Sequence, residues 1–495
     1  MPSNMPRFNG DRRRRALLLS ERLEDIAAAR RNLVLQLEAL DEQAKTMQHE
    51  VNVLHNIDAL TSNVPDEALA MIFEAGALPG SSHWPHFGVV VSHVSSRWRR
   101  VALSTPRLWT NVVSRIHDAG SRVRALAFLE RSKLAPLDIA IFRLEPDDPS
   151  PHFFQLINGH IGRCRTLRIE DAHHGMGQAI ECLSNAAPLL RSINLGSGTK
   201  DREVYFALGA PLFPAGAPRL ETAQLDCIDV DTMHFCLPAF ISVTSLRLTN
   251  VRLNRPTLGS YIELRDALVA LQSLHHLELQ LDSYELIHTA HLPIILPTIR
   301  YLRLEIPPGN LDTFTCSLVA SNLLVLSLER WDGQEHAFGM EDQSTHRFPS
   351  LEHLILTGID INTPYLDAYA KRFPDIKRLT CQVHPQFNHC GLDYILQPIC
   401  LGIQRYAPSE VNDPPNLDDG WDRWPNLEVI ALSATDSPSN PTLYTMIKMV
   451  KRGRPLRKLM LPDTWRTDHA DDMAVLGNII QVEGYSLDWP TPFPE

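Results

Sequence analysis

One six-residue pattern recurs along most of this chain and limits what it can fold into. The pattern is apolar-x-x-apolar-x-apolar, as in Leu351-Glu352-His353-Leu354-Ile355-Leu356. Its eleven copies begin at Cys164, Leu190, Leu220, Val243, Leu274, Ile299, Leu323, Leu351, Ile376, Leu427 and Leu456. Most successive starts lie 23 to 31 residues apart, and one gap spans 51. Alternation at the end of the unit predicts a short strand with one apolar face. Helix-like stretches lie between units, at Leu258 to Leu271, Thr363 to Phe373 and Thr442 to Lys451. Proline often precedes the unit, as Pro188, Pro218, Pro297, Pro349, Pro374, Pro425 and Pro455. A single strand-and-helix unit cannot bury its apolar face, but a stack of them buries a continuous core. The expectation over 156–495 is therefore an α/β solenoid, a curved arc with parallel strands on its concave face.

The unit and its period are similar to those of leucine-rich repeats. That resemblance implies a surface that binds other proteins through exposed residues between the leucines. The 51-residue gap is expected to hide a degenerate repeat near Leu392 to Ile403. It also holds an insertion over 404–424, with Pro414-Pro415 and the acids Glu410, Asp413, Asp418, Asp419 and Asp422. Insertions on a repeat stack cluster on one face, often the binding face, and a tolerated surface loop is the other reading.

Upstream of the repeats the pattern changes period. Residues 12 to 58 lack Pro and Gly and are rich in helix formers. Leu19, Leu23, Ile26, Arg30, Leu33, Leu37, Leu40, Ala44, Met47, Val51 and Leu54 follow alternating steps of four and three, and all but Arg30 are apolar. This is a heptad seam, so 1–58 reads as a basic N-terminus and an α-helical coiled-coil segment. The seam needs a partner: self-association, a heteromeric coiled coil, or folding back on the same chain. Arg30 at a seam position weakens a dimer or fixes its register. Arg12 to Arg15 are either a nuclear localisation signal or a solvated terminus.

Residues 59–113 form the link between these two regions. Pro65 suits the first turn of a helix, and Glu67 suits the positive end of its dipole. Leu69, Ile72 and Phe73 then fall on one face. A turn-rich break from Gly76 to Gly88 follows, and a second helix is expected from about Val89 to Leu103. Its apolar residues are Val90, Val91, Val94, Trp98, Val101 and Ala102, bordered by Arg97, Arg99 and Arg100. Ser104-Thr105-Pro106 ends it, and Leu108-Trp109 follows as an apolar anchor. The stretch from Val64 to Trp109 resembles the F-box, a small all-α module of cullin–RING ubiquitin ligase adaptors. The matching residues are Pro65, Glu67, Leu69, Ile72, Phe73, Trp98, Arg99, Ala102, Ser104, Pro106, Leu108 and Trp109. Val64 stands where the family has Leu. The closing Trp-Arg…Leu-Trp pattern is most similar to F-box proteins of mushroom-forming fungi. The resemblance implies docking on a Skp-type subunit through Val64, Pro65, Glu67, Leu69, Ile72, Phe73, Val94, Trp98, Val101, Leu108 and Trp109. Anchors of this kind enter an apolar groove on the partner. Residues 114–155 then bridge to the repeats, with a helix from Arg115 to Lys133 and a strand from Pro136 to Phe142.

Composition narrows the function classes. A formal net charge of -11 argues against nucleic acid as the main partner. No stretch approaches the ~18 apolar residues of a membrane span, and no signal peptide is evident. Eight cysteines without paired spacing suggest free thiols and a cytoplasmic or nuclear location. Cys381-x-x-His384 with His389-Cys390 has zinc-like ligands but no second matching pair, so no metal is expected. Gly196-Ser197-Gly198-Thr199-Lys200 lacks the P-loop spacing, and His173-His174 has no carboxylate partner in sequence. No catalytic triad or carboxylate pair emerges, and no cofactor is expected. The resulting expectation is a non-catalytic adaptor that joins a Skp-type subunit to an unknown protein substrate. The alternative is a structural scaffold acting through the coiled coil and the repeats alone.

Overall fold

A computed structural model describes residues 8–57, 61, 63–77, 86–115, 119–142, 151–171, 176–197, 205–252, 258–283, 292–307, 311–329, 347–359, 369–370, 372–383, 424–433, 455–463, 467 and 470–493. The chain divides into two compact units, Met1–Leu108 and Trp109–Glu495.

The first unit begins with α1 (Phe8–Ile57), a 50-residue helix. At 1.5 Å per residue it is about 75 Å long. Every residue from 10 to 55 is exposed, including Leu19, Leu23, Ile26, Leu33, Leu37, Leu40, Met47 and Leu54 of the seam. Among the described residues the heptad seam is open, with no fold-back onto the small helices that follow.

Those helices are α2 (Asp66–Gly76), α3 (Phe87–Ser92) and α4 (Ser96–Ser104). The expected single helix from Val89 to Leu103 is thus two. The break has a local cause: Ser95 adopts an extended conformation and its hydroxyl accepts from the Trp98 N–H at 3.1 Å. A serine cap of this kind starts a new helix instead of continuing the old one. Leu69 and Phe73 from α2, Val91 from α3, and Val101 and Ala102 from α4 fill the small core. Phe73 also packs on Trp98 with ring centroids 4.9 Å apart.

The second unit is built on one parallel sheet. Its strands are β1 (Asn111–Arg115), β2 (Leu137–Phe142), β3 (Cys164–Asp171), β4 (Ser192–Ser197), β5 (Thr222–Asp226), β6 (Ser245–Arg252), β7 (His276–Ser283), β9 (Tyr301–Glu305), β11 (Val325–Glu329), β12 (His353–Ile359), β13 (Arg378–Val383), β14 (Val429–Leu432), β15 (Lys458–Leu461) and β16 (Gln481–Gly484). Each pairs with its neighbours in chain order. The short strands β8 (Ile294–Ile295) and β10 (Leu318–Val319) pair with each other separately. Sequential parallel strands joined by helices and turns are compatible with a solenoid-like arrangement.

The register explains why the six-residue pattern recurs. Leu246, Leu277, Leu302, Leu326, Leu354, Leu379, Ile430 and Leu459 stand side by side across eight strands. Every apolar position of all eleven copies is buried, and none is more than 6% exposed. Burying one leucine contributes about 1.5–3 kcal/mol, so a ladder of them opposes register slips strongly.

One feature departs from the sequence reading. β1 and β2 extend the sheet upstream of 156, into the segments read as link and bridge. β13 pairs directly with β14, with Arg378 opposite Val429. The degenerate repeat expected in the 51-residue gap falls between these two strands in sequence. Leu392 to Ile403 and the 404–424 insertion fall outside the described residues, as does the helix expected at Thr442 to Lys451.

Candidate interaction surfaces

In the first unit the chain entering α2 is held by one arginine. Arg97 of α4 donates from Nε to Asp66 Oδ1 at 2.9 Å and from Nη1 to the Thr61 carbonyl at 2.9 Å. Its Nη2 donates to the Val64 carbonyl. Arg100 adds a second contact to Asp66 at 3.5 Å. The hydrogen bond from Arg97, outweighing burial, holds the Asp66 carboxyl below its usual range. Arg107 reaches Glu74 at 3.4 Å, tying the end of the unit to α2.

This frame separates the expected docking residues. Leu69, Phe73, Val101 and Leu108 are buried, so they shape the unit from inside. Ile72 and Val94 are 58% and 57% exposed. Pro65 and Glu67 are exposed, and Val64 and Trp98 are half-buried. Trp109 falls in the other unit, where it is fully buried. There it meets Phe128 edge-on at 5.0 Å, with the Arg131 guanidinium 4.7 Å from its ring. It is a core residue of the second unit. Met71, Val90 and Leu103 are also exposed apolar residues of the small helices, and the sequence reading missed them as surface. Their signal was present, since Val90 and Leu103 each sit one position from a core residue on a helix and Met71 sits two positions from both Leu69 and Phe73.

In the second unit the residues alternating with the ladder leucines line the other face of the sheet. Arg247, Glu278 and Arg303 are register neighbours on β6, β7 and β9. Arg247 Nε donates to Glu278 Oε2 at 2.7 Å, and His276 Nε2 lies 3.0 Å from Glu278 Oε1. Arg303 pairs with Glu329 of β11 at 2.5 Å. Burial works against ionisation of Glu278, but hydrogen bonds from His276, Arg247 and Trp489 outweigh it and bring its pKa to about 2. On β12, burial lowers His353 to about 3, helped by the nearby Arg378 and opposed by Asp488. His353 Nε2 lies 2.9 Å from Thr380 Oγ1.

The C-terminal residues 486–493 lie on this face. Arg378 of β13 pairs with Asp488. Trp489 donates from its indole to Glu278 Oε1 at 2.8 Å. Arg247 donates to Thr491 Oγ1 at 3.0 Å, and its guanidinium sits 4.5 Å from the Phe493 ring. His276 packs against both Trp489 and Phe493, with centroids 5.1 and 5.7 Å away. Phe493 is buried, while Asp488 stays exposed.

Among the described residues no group of His, Cys, Asp and Glu could hold a metal ion. Cys381 is a ladder residue whose thiol is pushed up to about 12 by burial, and its proposed companions His384, His389 and Cys390 lie outside the described residues. Gly196 is buried within β4, where an added Cβ would come within 3.3 Å of the Asp226 side chain. His173 and His174 also lie outside the described residues. Among the described residues no helix is long and apolar enough to cross a membrane. No protein-family model matches the chain, and no curated protein matches it significantly.

Proposed function

We propose that this chain is a non-catalytic substrate-recognition adaptor of an SCF-type cullin–RING ubiquitin ligase. In this reading residues 59–113, with the motif from Val64 to Trp109, form an F-box that docks a Skp-type subunit. The parallel sheet is the inner face of a leucine-rich-repeat arc, and that face holds a target protein. The ligase assembly would supply the chemistry, and the adaptor would supply proximity. The observation that carries the reading is the small helical unit, whose core is filled by Leu69, Phe73 and Val101 while Met71, Ile72, Val90 and Val94 remain exposed. Units of this size expose anchor residues when a partner completes their burial.

A pull-down tests the docking. The wild-type chain should retain a Skp-type subunit, and an Ile72→Asp, Val94→Asp variant should lose at least ten-fold in retention. Both positions are exposed, so the variant keeps its fold by circular dichroism. Equal retention would sink the assignment. A second reading, a scaffold acting through α1 and the repeats, draws support from the open heptad seam. Native mass measurement separates the two. A self-associated chain that ignores added Skp-type subunit favours the scaffold.

A further inference from the structure

The C-terminal residues meet the sheet through side chains that a separate peptide could equally supply. Asp488 reaches β13, Trp489 reaches β7, and Thr491 and Phe493 reach β6. Pro490 and Pro492 fix their own φ and keep the residues before them out of the helical region, and the Thr491 N–H donates to the Trp489 carbonyl at 2.9 Å, closing a tight turn at Pro490. An acid, an aromatic and a second aromatic are thus presented along a non-helical backbone with one tight turn between the two aromatics. The receiving groups are of matching chemistry: an arginine for the acid, a buried glutamate for the indole N–H, and an arginine over the last ring. Trp and Arg dominate binding energies at interfaces.

The occupancy is incomplete at one point. The carboxylate of Asp488 takes Nη2 of Arg378, while the buried Nε of Arg378 has no hydrogen-bond partner among the described residues. A carboxylate engaging both nitrogens would make the stronger, two-pronged contact. A competing peptide therefore has something to gain over the chain's own segment.

We propose that the sheet face from β6 to β13 is a binding site for a short non-helical peptide in which an acid precedes an aromatic. Residues 486–493 occupy it as a built-in competitor. The target class is then a protein with an exposed acidic–aromatic segment, and capture requires displacement of the tail. This deepens the reading of the sheet face as the target-holding surface and rests on it, but not on docking of the Skp-type subunit.

The test uses the full chain and a fluorescent synthetic peptide of residues 484–495, with a scrambled version as control. An attached competitor acts at millimolar effective concentration, so wild type should bind the peptide weakly. An Asp488→Lys, Trp489→Ala variant should bind it at least ten-fold more tightly. Adding Arg378→Glu to that variant should remove the gain. Tightening on release that the scrambled peptide does not share supports the proposal. No tightening in a folded variant, or equal tightening for the scrambled peptide, overturns it. If the double variant misfolds, Asp488→Lys alone, at an exposed position, must still tighten binding at least three-fold, and failure to do so overturns the proposal. Skp-type retention measured on the same variants keeps the two readings apart. Lost docking with intact peptide binding would count against the adaptor alone. Tail release without peptide binding, while substitutions on the sheet face still abolish target capture, would count against this inference alone.

Discussion

Replacing Glu278 by Gln keeps the shape of the side chain and removes its charge. Glu278 is 5% exposed and sits among His276, Arg247 and Trp489, with Arg303 on the next strand. Its pKa falls from 4.5 to about 2 in the folded chain, which corresponds to on the order of 3 kcal/mol of stability. The sign follows from proton binding. Between pH 4.5 and about 2 the unfolded chain binds more protons at this site, so folding stability rises with pH. The contribution is fully present above 4.5 and is lost as pH falls towards 2. Glu278→Gln lacks it at every pH. Urea unfolding followed by circular dichroism at pH 7, 5, 4 and 3 reads the difference directly. With a slope of about 3 kcal/mol/M, the wild-type midpoint should exceed that of the variant by about 1 M at pH 7. The gap should hold at pH 5 and narrow clearly by pH 3. Other acids titrate in both proteins and cancel in the comparison. A gap that stays constant across this range would refute the assignment of the stability to the Glu278 charge.

Three further outcomes follow from the same geometry. Leu326→Ala removes a fully buried side chain in the middle of the ladder, and should cost about 3–5 kcal/mol, seen as a lower thermal midpoint. Arg97→Ala removes the donor to Asp66, Thr61 and Val64; it should cost about 1–3 kcal/mol and speed hydrogen exchange at 64–70 before it affects the sheet. The thiols of Cys164, Cys236 and Cys381, all pushed up to about 12 by burial, should resist iodoacetamide in the native chain and react in urea, as mass spectrometry of the peptides will show. Rapid native labelling of Cys381 would contradict its place in the ladder.

The ladder was legible in the sequence because its cause is local. A leucine two residues from another on a strand points the same way, so spacing alone places Leu277 beside Leu302 and Leu302 beside Leu326. Leu108 and Trp109 were harder, because adjacent apolar residues carry no sign of a unit boundary passing between them. β1 was missed for a similar reason: Asn111-Val112-Val113-Ser114-Arg115 buries a serine where the pattern calls for an apolar residue. The helix break at Ser95 was readable in principle, since a serine three residues before a helical N–H is a cap signal. The seating of the C-terminal residues was not readable. Trp489 meets Glu278 from 211 positions away, and Thr491 meets Arg247 from 244. No periodicity reports a contact of that range, and each partner in isolation resembles an ordinary surface residue.

The strap formed by those last residues changes how the array should fail. A stack in which every strand touches only its sequence neighbours behaves as a one-dimensional chain, and its terminal members fray first. Here the final strand leads into residues that grip the sixth and seventh. The C-terminal end of the stack is thereby fastened to its middle, like a belt buckled back on itself. β9 to β16 should then melt together and not one after another. The same long-range closure raises the separation of contacting residues, which slows folding. Cutting the belt would restore the stepwise unravelling of an open stack.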